Sequence, residues 1–185
     1  GGWNKLGVAE ELGGANLPSV ITFAFSEMGS SSNQAFAMYP GLTGAALGAL
    51  WATGEDWMRD HVAQRMADGD WAGTMCLTEP HCGTDLKLMK TRAVKQDDGS
   101  YRLSGTKIFI SGGDHDMTEN IIHMVIAKLP NEDGKFVDDL GTVNFFMVPK
   151  MLVDEKTGKI TGPNGVSVGA VEKKMGIKGN ATCVM

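Results

Sequence analysis

The spacing of apolar residues changes once along this chain, near residue 70, and that change restricts the folds open to it. Before residue 70, apolar residues recur at intervals of three and four, which is typical of amphipathic helices. After residue 70, they alternate with polar residues in short runs separated by turn residues, which is typical of strands. Helices followed by strands predict an α+β protein with two segregated regions, residues 1–70 and 71–185.

Three helices are predicted in the first region. The first begins after Pro18. The second has Pro40 in its first turn, and the third follows Thr53 as its N-cap. Gly29, followed by three serines, is expected to end the first helix, and Gly69 to end the third.

The second predicted helix, residues 41–52, has a stripe of small residues. Gly41, Ala45, Gly48 and Ala52 fall four, three and four positions apart and so share one face. Such a face lets another backbone approach closely, although each glycine costs about 1 kcal/mol of helix propensity. We expect a buried helix–helix contact along this stripe.

Several short strands are predicted in the second region, and the turn Asp97-Asp98-Gly99 joins two of them as a hairpin. A further hairpin is expected around residues 156–159. Together these signals predict a small antiparallel barrel or sandwich. The predicted strands are 91–95, 101–111, 121–129, 143–148 and 166–171.

Composition removes several classes of function. No apolar run approaches the roughly 20 residues that span a bilayer, so we expect no membrane insertion. The net charge of −5 argues against nucleic acid as the main partner. The three cysteines form no C-x-x-C pair and are expected to be reduced thiols of an intracellular protein. Because the chain begins Gly1-Gly2-Trp3 and ends within an apolar stretch, we expect it to be a piece of a longer protein.

The densest polar cluster spans residues 77–85, LTEPHCGTD. Its hydroxyls and Gly83 could hold a carbonyl edge or a phosphate through neutral donors, but a solvated turn explains the same residue types. His81 and Cys82 lack zinc-finger spacing, so no metal site is predicted. His123 lies in an apolar run and is expected to be a hydrogen-bonded core histidine. No G-x-S-x-G motif or dinucleotide fingerprint is present.

Three segments resemble known motifs in the same order. Residues 75–85 resemble the flavin-binding signature of acyl-CoA dehydrogenases, residues 98–113 the second FAD-binding strand of that family, and residues 172–179 a third family segment. Residues 10–14, 54–55 and 67–71 are similar to the end of the N-terminal helical domain. Within the family, residues 80–85 and 111–116 resemble the larger, bacterial-type branch that includes methylmercaptopropionyl-CoA dehydrogenase.

The resemblance implies an N-terminal helical domain, a middle β-barrel and a C-terminal helical domain, usually assembled as dimers or tetramers. Residues 1–70 would end the first domain and residues 71–185 would form the FAD-binding middle domain. The implied reaction is the α,β-desaturation of an acyl-CoA, with FAD as cofactor and an electron-transfer flavoprotein as acceptor. An acyl-CoA oxidase and a flavin-containing DNA-damage-response protein of the same fold are the alternatives. The bacterial cytoplasm is the implied location.

The resemblance also implies residue roles. Thr78 matches a residue that bonds the polar edge of the flavin ring, Thr84 one near the pyrophosphate and the substrate, and Phe109 an aromatic residue, often tryptophan, on the flavin face. Ser111 replaces a threonine near N5. Glu79 belongs to the flavin motif, and no catalytic residue is expected in this chain, because the catalytic glutamate of most relatives lies in the C-terminal domain. The implied cofactor-binding residues are Met75, Cys76, Leu77, Thr78, Gly83, Thr84, Phe109, Ile110 and Ser111.

Overall fold

The computed structural model describes residues 2–185, and its dominant element is the helix α1, Ser19–Thr53. This helix continues through Gly29 and is interrupted at Asn33, whose backbone is extended (φ −159°, ψ 88°). The Asn33 side chain accepts a hydrogen bond from the backbone N–H of Phe36 at 3.1 Å and thereby caps the second half of the helix. The predicted end at Gly29 is therefore wrong, and Pro40 lies within the second half rather than in its first turn.

A second helical run follows α1 after a short break. It consists of α2 (Asp56–Met58), a π-helical stretch (Arg59–Ala63) and α3 (Gln64–Asp68). Gly69 ends it in the left-handed conformation with φ 86°, as predicted. The predicted N-cap at Thr53 is wrong, because Thr53 is the last residue of α1 and its hydroxyl donates to the Ala49 carbonyl at 2.8 Å.

Within residues 2–185, nine strands follow the helices and are joined by turns and short 3₁₀ segments. Two hairpins, β2–β3 and β6–β7, form at the predicted turns. The strand predicted for 101–111 ends at Ser104, and the strand predicted for 166–171 shortens to β8. The strands are β1 (Trp71–Cys76), β2 (Arg92–Lys95), β3 (Tyr101–Ser104), β4 (Asn120–Lys128), β5 (Val143–Pro149), β6 (Met151–Val153), β7 (Ile160–Pro163), β8 (Ala170–Glu172) and β9 (Thr182–Val184).

The expected α+β architecture is confirmed, but the strands of residues 2–185 form one five-stranded sheet and two separate pairs that do not close into a barrel. The large sheet is also mixed rather than antiparallel. Its central strand β4 runs parallel to β1 and antiparallel to β5. The sequence signals pair neighbouring strands through hairpins, whereas β1 and β4 are joined by a long connection that returns β4 in the same direction. The pairing of β1 with β4 therefore leaves no signal in the local sequence.

The helical region packs directly on the sheet, and the hydrophobic core lies between α1, the second helical run and β1. Trp71, Leu50 and Met66 are among its fully buried side chains. Gly73 of β1 permits this contact, since a Cβ atom there would lie 2.6 Å from the Ala46 Cβ and 2.8 Å from the Met66 Cε. The Thr43 hydroxyl accepts a hydrogen bond from the Gly73 N–H at 3.0 Å.

The stripe of small residues faces away from this core. Gly41, Ala45, Gly48 and Ala52 are all exposed, and a Cβ atom at either glycine would meet no atom within 4 Å. The expected helix–helix contact is thus absent within residues 2–185, because the face with larger side chains is the one that packs on β1. No helix in this part of the chain has the length and apolar character to cross a membrane.

Candidate functional site

Two chain segments form the candidate site. The first follows β1 and carries Leu77 and Thr78, and the second, residues 105–111, follows β3. The Ile108 N–H donates to the Thr78 carbonyl at 2.9 Å, which fixes the two segments side by side. The second segment also pairs with the end of the chain, since Ile110 and Cys183 exchange two backbone hydrogen bonds of 2.9 and 2.8 Å.

The predicted cofactor-binding residues divide into an accessible and a buried group. Cys76 and Ile110 are each 2% exposed and pack with Val125 in a second core cluster, so their side chains face away from the solvent. The accessible side chains at the ends of the two segments are only partly covered by protein. The accessible or half-buried residues are Met75, Leu77, Thr78, Gly83, Thr84, Phe109 and Ser111.

The hydroxyls of Thr78, Thr84 and Ser111 have no hydrogen-bond partner among the side chains and backbone of residues 2–185. By contrast, the buried threonines nearby are bonded, as when the Thr74 hydroxyl lies 2.8 Å from Nδ1 of His123. A hydroxyl can donate one hydrogen bond and accept two. The site therefore presents three hydroxyl groups that can bond a ligand at no cost to the protein's own hydrogen bonds.

Phe109 is the exposed aromatic residue of the site and has an unusual backbone. Its φ of 59° lies in the left-handed region that disfavours side chains, and its side chain is 45% exposed. The Lys174 ammonium lies 4.3 Å from the ring centroid, a cation–π distance. Strain of this kind persists only where the surroundings hold it, and it concentrates at functional sites.

Glu79 is the structural centre of the 77–85 loop. Its Oε1 accepts hydrogen bonds from the Lys107 ammonium and the Thr91 N–H, both at 3.0 Å, and its Oε2 accepts from the Lys90 N–H at 2.7 Å. Burial alone would raise the pKa of the Glu79 carboxyl. A hydrogen bond that the Thr91 hydroxyl donates to Oε1, together with the three bonds above, holds the pKa below its usual range. A carboxylate so engaged fixes the loop and is unsuited to removing a substrate proton.

The same loop brings three possible metal ligands together, which the sequence argument did not expect. One ligand atom from each of Glu79, His81 and Cys82 lies within 4.8 Å of the others. The turn that closes Glu79 onto Cys82, through backbone hydrogen bonds of 2.8 and 3.2 Å, causes this proximity. Because both carboxylate oxygens already accept hydrogen bonds, the cluster fits a hydrogen-bonded loop better than a coordination site.

Several residues that position the site were missed by the sequence argument. Asn180 is 2% exposed and accepts a hydrogen bond from the Gly112 N–H at 3.0 Å, while its amide donates to the Ala35 carbonyl of α1. The Tyr39 hydroxyl of α1 accepts from the Ala181 N–H at 2.8 Å. These contacts tie the 109–113 turn to the helix. Asn180 directly follows the third family segment, and Lys107 lies within the second. Their closeness to these segments was the only sequence signal that could have identified them.

His123 lies beneath the site, on β4 opposite Thr74 of β1. Its Nδ1 is hydrogen-bonded to the Thr74 hydroxyl, but its buried Nε2 has no partner within residues 2–185. The predicted core histidine is therefore hydrogen-bonded through one of its two ring nitrogens. Burial lowers the pKa of His123 to about 4; the Asp114 carboxylate opposes this shift, whereas the positive charge of Lys150 adds to it. The imidazole is therefore neutral at ordinary pH.

Comparisons with known proteins identify the family of the chain. The family description "Acyl-CoA dehydrogenase, middle domain" matches residues 74–185. The chain is 39% identical over its whole length to 3-methylmercaptopropionyl-CoA dehydrogenase of Ruegeria pomeroyi, and 40% identical over 98% of its length to the broad-specificity linear acyl-CoA dehydrogenase FadE5 of Mycobacterium tuberculosis. It spans 30% and 29% of those two relatives.

Solved structures show the same fold. An acyl-CoA dehydrogenase of Bacillus anthracis complexed with FAD matches 99% of the chain with a TM-score of 0.75 and 26% identity, and the chain covers 28% of that structure. An electron transferring flavoprotein structure of Acidaminococcus fermentans matches 99% of the chain with a TM-score of 0.78 and 23% identity, with 43% of its own chain covered. The chain belongs to the acyl-CoA dehydrogenase family.

Proposed function

We propose that this chain forms much of the flavin site of an FAD-dependent acyl-CoA dehydrogenase. Residues 1–70 would be the end of an N-terminal helical domain, and residues 71–185 the middle, FAD-binding domain. The family match over residues 74–185 and the change from helices to strands at Trp71 support this division. The relatives' activities belong to proteins about three times longer, so the activity is that of the full-length protein.

The proposal rests on two hydroxyls without a hydrogen-bond partner in residues 2–185, those of Thr78 and Ser111, which lie on the two bonded segments that also carry the exposed ring of Phe109. Thr78 and Ser111 offer hydroxyl donors, and Phe109 offers a ring face on which a planar ligand can stack. Gly83 adds an open backbone edge, since a Cβ there would meet only the Thr78 side chain, at 3.5 Å. These residues fit the polar edge and the face of an isoalloxazine ring.

Each of the cofactor-binding residues has a distinct role in the proposed flavin site. Thr78 and Ser111 donate hydrogen bonds to the ring, and Phe109 packs on its face. Gly83 and Thr84 lie near the pyrophosphate, and Thr84 also contacts the acyl-CoA. Met75 and Leu77 line the ring through backbone and side chain, whereas Cys76 and Ile110 act through backbone position, because their side chains are buried.

The flavin, when bound, supplies the hydride acceptor for α,β-desaturation of the thioester. This chain's residues orient the ring and exclude water from one face. The neutral hydroxyl donors stabilise negative charge on the reduced ring, since fixed donors act most strongly where charge develops. The general base is assigned to a residue outside these 185, because Glu79 is committed to Lys107, Thr91 and Lys90.

The proposal extends to partners and location. The full-length protein would act on acyl-CoA substrates, pass electrons to an electron-transfer flavoprotein, assemble as a dimer or tetramer, and work in the bacterial cytoplasm. The acidic net charge of −5 supports a role without nucleic acid.

Anaerobic mixing of the flavin-loaded full-length protein with acyl-CoA thioesters tests the reaction. We expect the visible flavin absorbance to bleach and to return when an electron-transfer flavoprotein is added. Recovery with oxygen alone would instead identify an oxidase. Absence of bleaching with any chain length, in a protein that holds flavin, would contradict the proposed activity.

A further inference from the structure

The exposed ring of Phe109 is in contact with one cation. The Lys174 ammonium lies 4.3 Å from the ring centroid, and the side chain of Phe109 is 45% exposed, so the lysine covers only part of the ring. Within residues 2–185, no carboxylate oxygen lies within 4 Å of this ammonium. The negative face of an aromatic ring attracts a cation. The charge of Lys174 is thus held beside the candidate site without a counter-ion.

Two connected turns bring this lysine and this ring together. Lys174 begins the turn of residues 174–177, in which the Ile177 N–H donates to the Lys174 carbonyl at 3.3 Å. The Ile177 carbonyl accepts from the Asn180 N–H at 2.9 Å, and the Asn180 side chain accepts from the Gly112 N–H at 3.0 Å. Gly112 belongs to the same 109–113 turn as Phe109. The cation–π contact is therefore supported by the backbone on both sides.

The distance between the ammonium and a ligand stacked on the Phe109 ring has an upper limit. Centroids of paired aromatic rings lie about 4.5–7 Å apart. An ammonium 4.3 Å from the Phe109 centroid is then at most about 11 Å from the centroid of the ligand ring. At this separation and an effective dielectric constant of about 20, one positive charge changes the equilibrium constant for placing one negative charge on the ligand by up to about tenfold.

We propose that Lys174 is a positioning residue that favours the reduced form of the bound flavin. The inference rests on the proposed function, in which Phe109 packs on the face of the isoalloxazine ring. Because a hydride carries two electrons and one proton, its transfer from the thioester leaves one negative charge on the accepting ring. A fixed positive charge nearby stabilises that charge and raises the reduction potential.

Lys174 acts through the Phe109 ring, which holds its ammonium in place, and is assigned no contact with the substrate. Its neighbour Lys173 is also exposed but has no cation–π contact within residues 2–185. The two lysines therefore carry the same charge on the same segment and differ in whether an aromatic ring fixes that charge. This difference supplies a matched control.

The reduction potential of the flavin in the full-length protein tests this role. The flavin-loaded protein is reduced anaerobically together with a dye of known potential. The test variant, Lys174→Met, removes the charge and keeps most of the length of the side chain. Lys174→Arg keeps the charge and can still contact a ring. The control is Lys173→Met, and the affinity of every variant for FAD is measured in parallel.

We expect Lys174→Met to weaken the preference for reduced over oxidised FAD by about two- to tenfold, which lowers the midpoint potential of a two-electron couple by about 10–30 mV. Lys174→Arg and Lys173→Met should leave the potential unchanged. In a Phe109→Leu background, where no aromatic ring holds the ammonium, Lys174→Met should have little further effect.

Equal potentials of Lys174→Met and Lys173→Met would overturn the inference. An equal fall in Lys174→Arg would also overturn it, because that result would assign the effect to the packing of the side chain rather than to its charge. Both results leave the proposed function intact if the protein holds flavin that acyl-CoA thioesters bleach. A full-length protein without flavin would refute the proposed function and this inference together.

Discussion

The Lys107 ammonium lies 3.0 Å from Oε1 of Glu79, and both side chains are almost completely buried. The two residues belong to the two different chain segments of the candidate site. This ion pair and the hydrogen bond from the Lys107 ammonium to the Leu77 carbonyl, at 2.9 Å, therefore join the two halves of the site. In the proposed function, this ion pair fixes Glu79 to the protein and leaves its carboxylate unsuited to removing a substrate proton.

Replacement of Glu79 by glutamine should destabilise the protein strongly. Glutamine keeps the shape but leaves the buried Lys107 charge unpaired, which typically costs about 3–5 kcal/mol of unfolding free energy. The matched control is Glu119→Gln, because the Glu119–Arg65 pair, at 3.6 Å, is largely exposed and should contribute less than about 1 kcal/mol. Urea unfolding of both variants measures the difference. Equal losses would contradict a structural role for the buried pair.

The Glu79 variant should also change the acid limb of the stability curve. Because hydrogen bonds lower the pKa of Glu79 in the folded state, its contribution is present above the ordinary carboxyl pKa of 4.5 and is lost as the pH falls through the folded value. The unfolding free energy of Glu79→Gln should therefore fall less steeply below pH 4.5 than that of the unmodified protein. An identical slope would show that the carboxylate gains nothing from its partners.

The buried imidazole of His123 should cause a second, separate pH dependence of the unfolding free energy. The unfolded state takes up a proton near pH 6.5 and the folded state only near pH 4, so acidification across this interval favours unfolding. We expect a loss of about 3 kcal/mol of unfolding free energy between these two pH values. In His123→Gln, which still can bond Thr74 but does not titrate, that loss should disappear. Persistence of the full slope in this variant would assign it to other groups.

Two glycine-to-alanine changes test the packing of α1. Gly73→Ala should cost about 1–3 kcal/mol, because its Cβ would overlap Ala46 and Met66. Gly48→Ala meets open space and should stabilise the helix in the 185-residue chain by up to about 1 kcal/mol. Thermal unfolding measures both. Destabilisation of the 185-residue chain by Gly48→Ala would contradict the exposed position of the stripe of small residues.

Two substitutions of Phe109 distinguish the effect of backbone strain from the effect of ring contacts. Phe109→Gly removes the ring and relieves the positive φ, whereas Phe109→Ala removes the ring and keeps the strain. The glycine variant should therefore be about 1 kcal/mol more stable than the alanine variant, while both bind FAD more weakly. Chemical unfolding and flavin titration check the two expectations independently. Unimpaired FAD binding by both variants would remove Phe109 from the site.

The contrast between what the sequence predicted and what the structure shows follows from the range of the interactions. Local chemistry was readable: Gly69 ends a helix, and Asp97-Asp98-Gly99 turns a hairpin. The pairing of β1 with β4 was not, because it depends on contacts between residues nearly fifty positions apart. The continuation of α1 through Gly29 was also missed, since serine hydroxyls there bond preceding carbonyls and Asn33 supplies the cap.

Prediction of the candidate site from the sequence was limited in the same way. The flavin-motif residues could be named from the resemblance, and the structure brings Thr78 and Ile108 together through one backbone hydrogen bond. The residues that hold them in place, Asn180 and Tyr39, contact the site from 68 and more positions away and have no local pattern. The unpartnered Nε2 of His123 likewise depends on burial that no single sequence position reveals.

Equilibrium titration of the full-length protein with FAD, followed by gel filtration and visible absorbance, tests most directly whether residues 71–185 form much of a flavin site. We expect a flavin spectrum that co-elutes with the protein, and an affinity for FAD at least about tenfold lower in the variant that combines Thr78→Val with Ser111→Ala. Thr106→Val, which removes an exposed hydroxyl from the same segment, should bind normally. A protein that elutes without flavin, or equal affinities for the double variant and the control, would contradict the proposed flavin site.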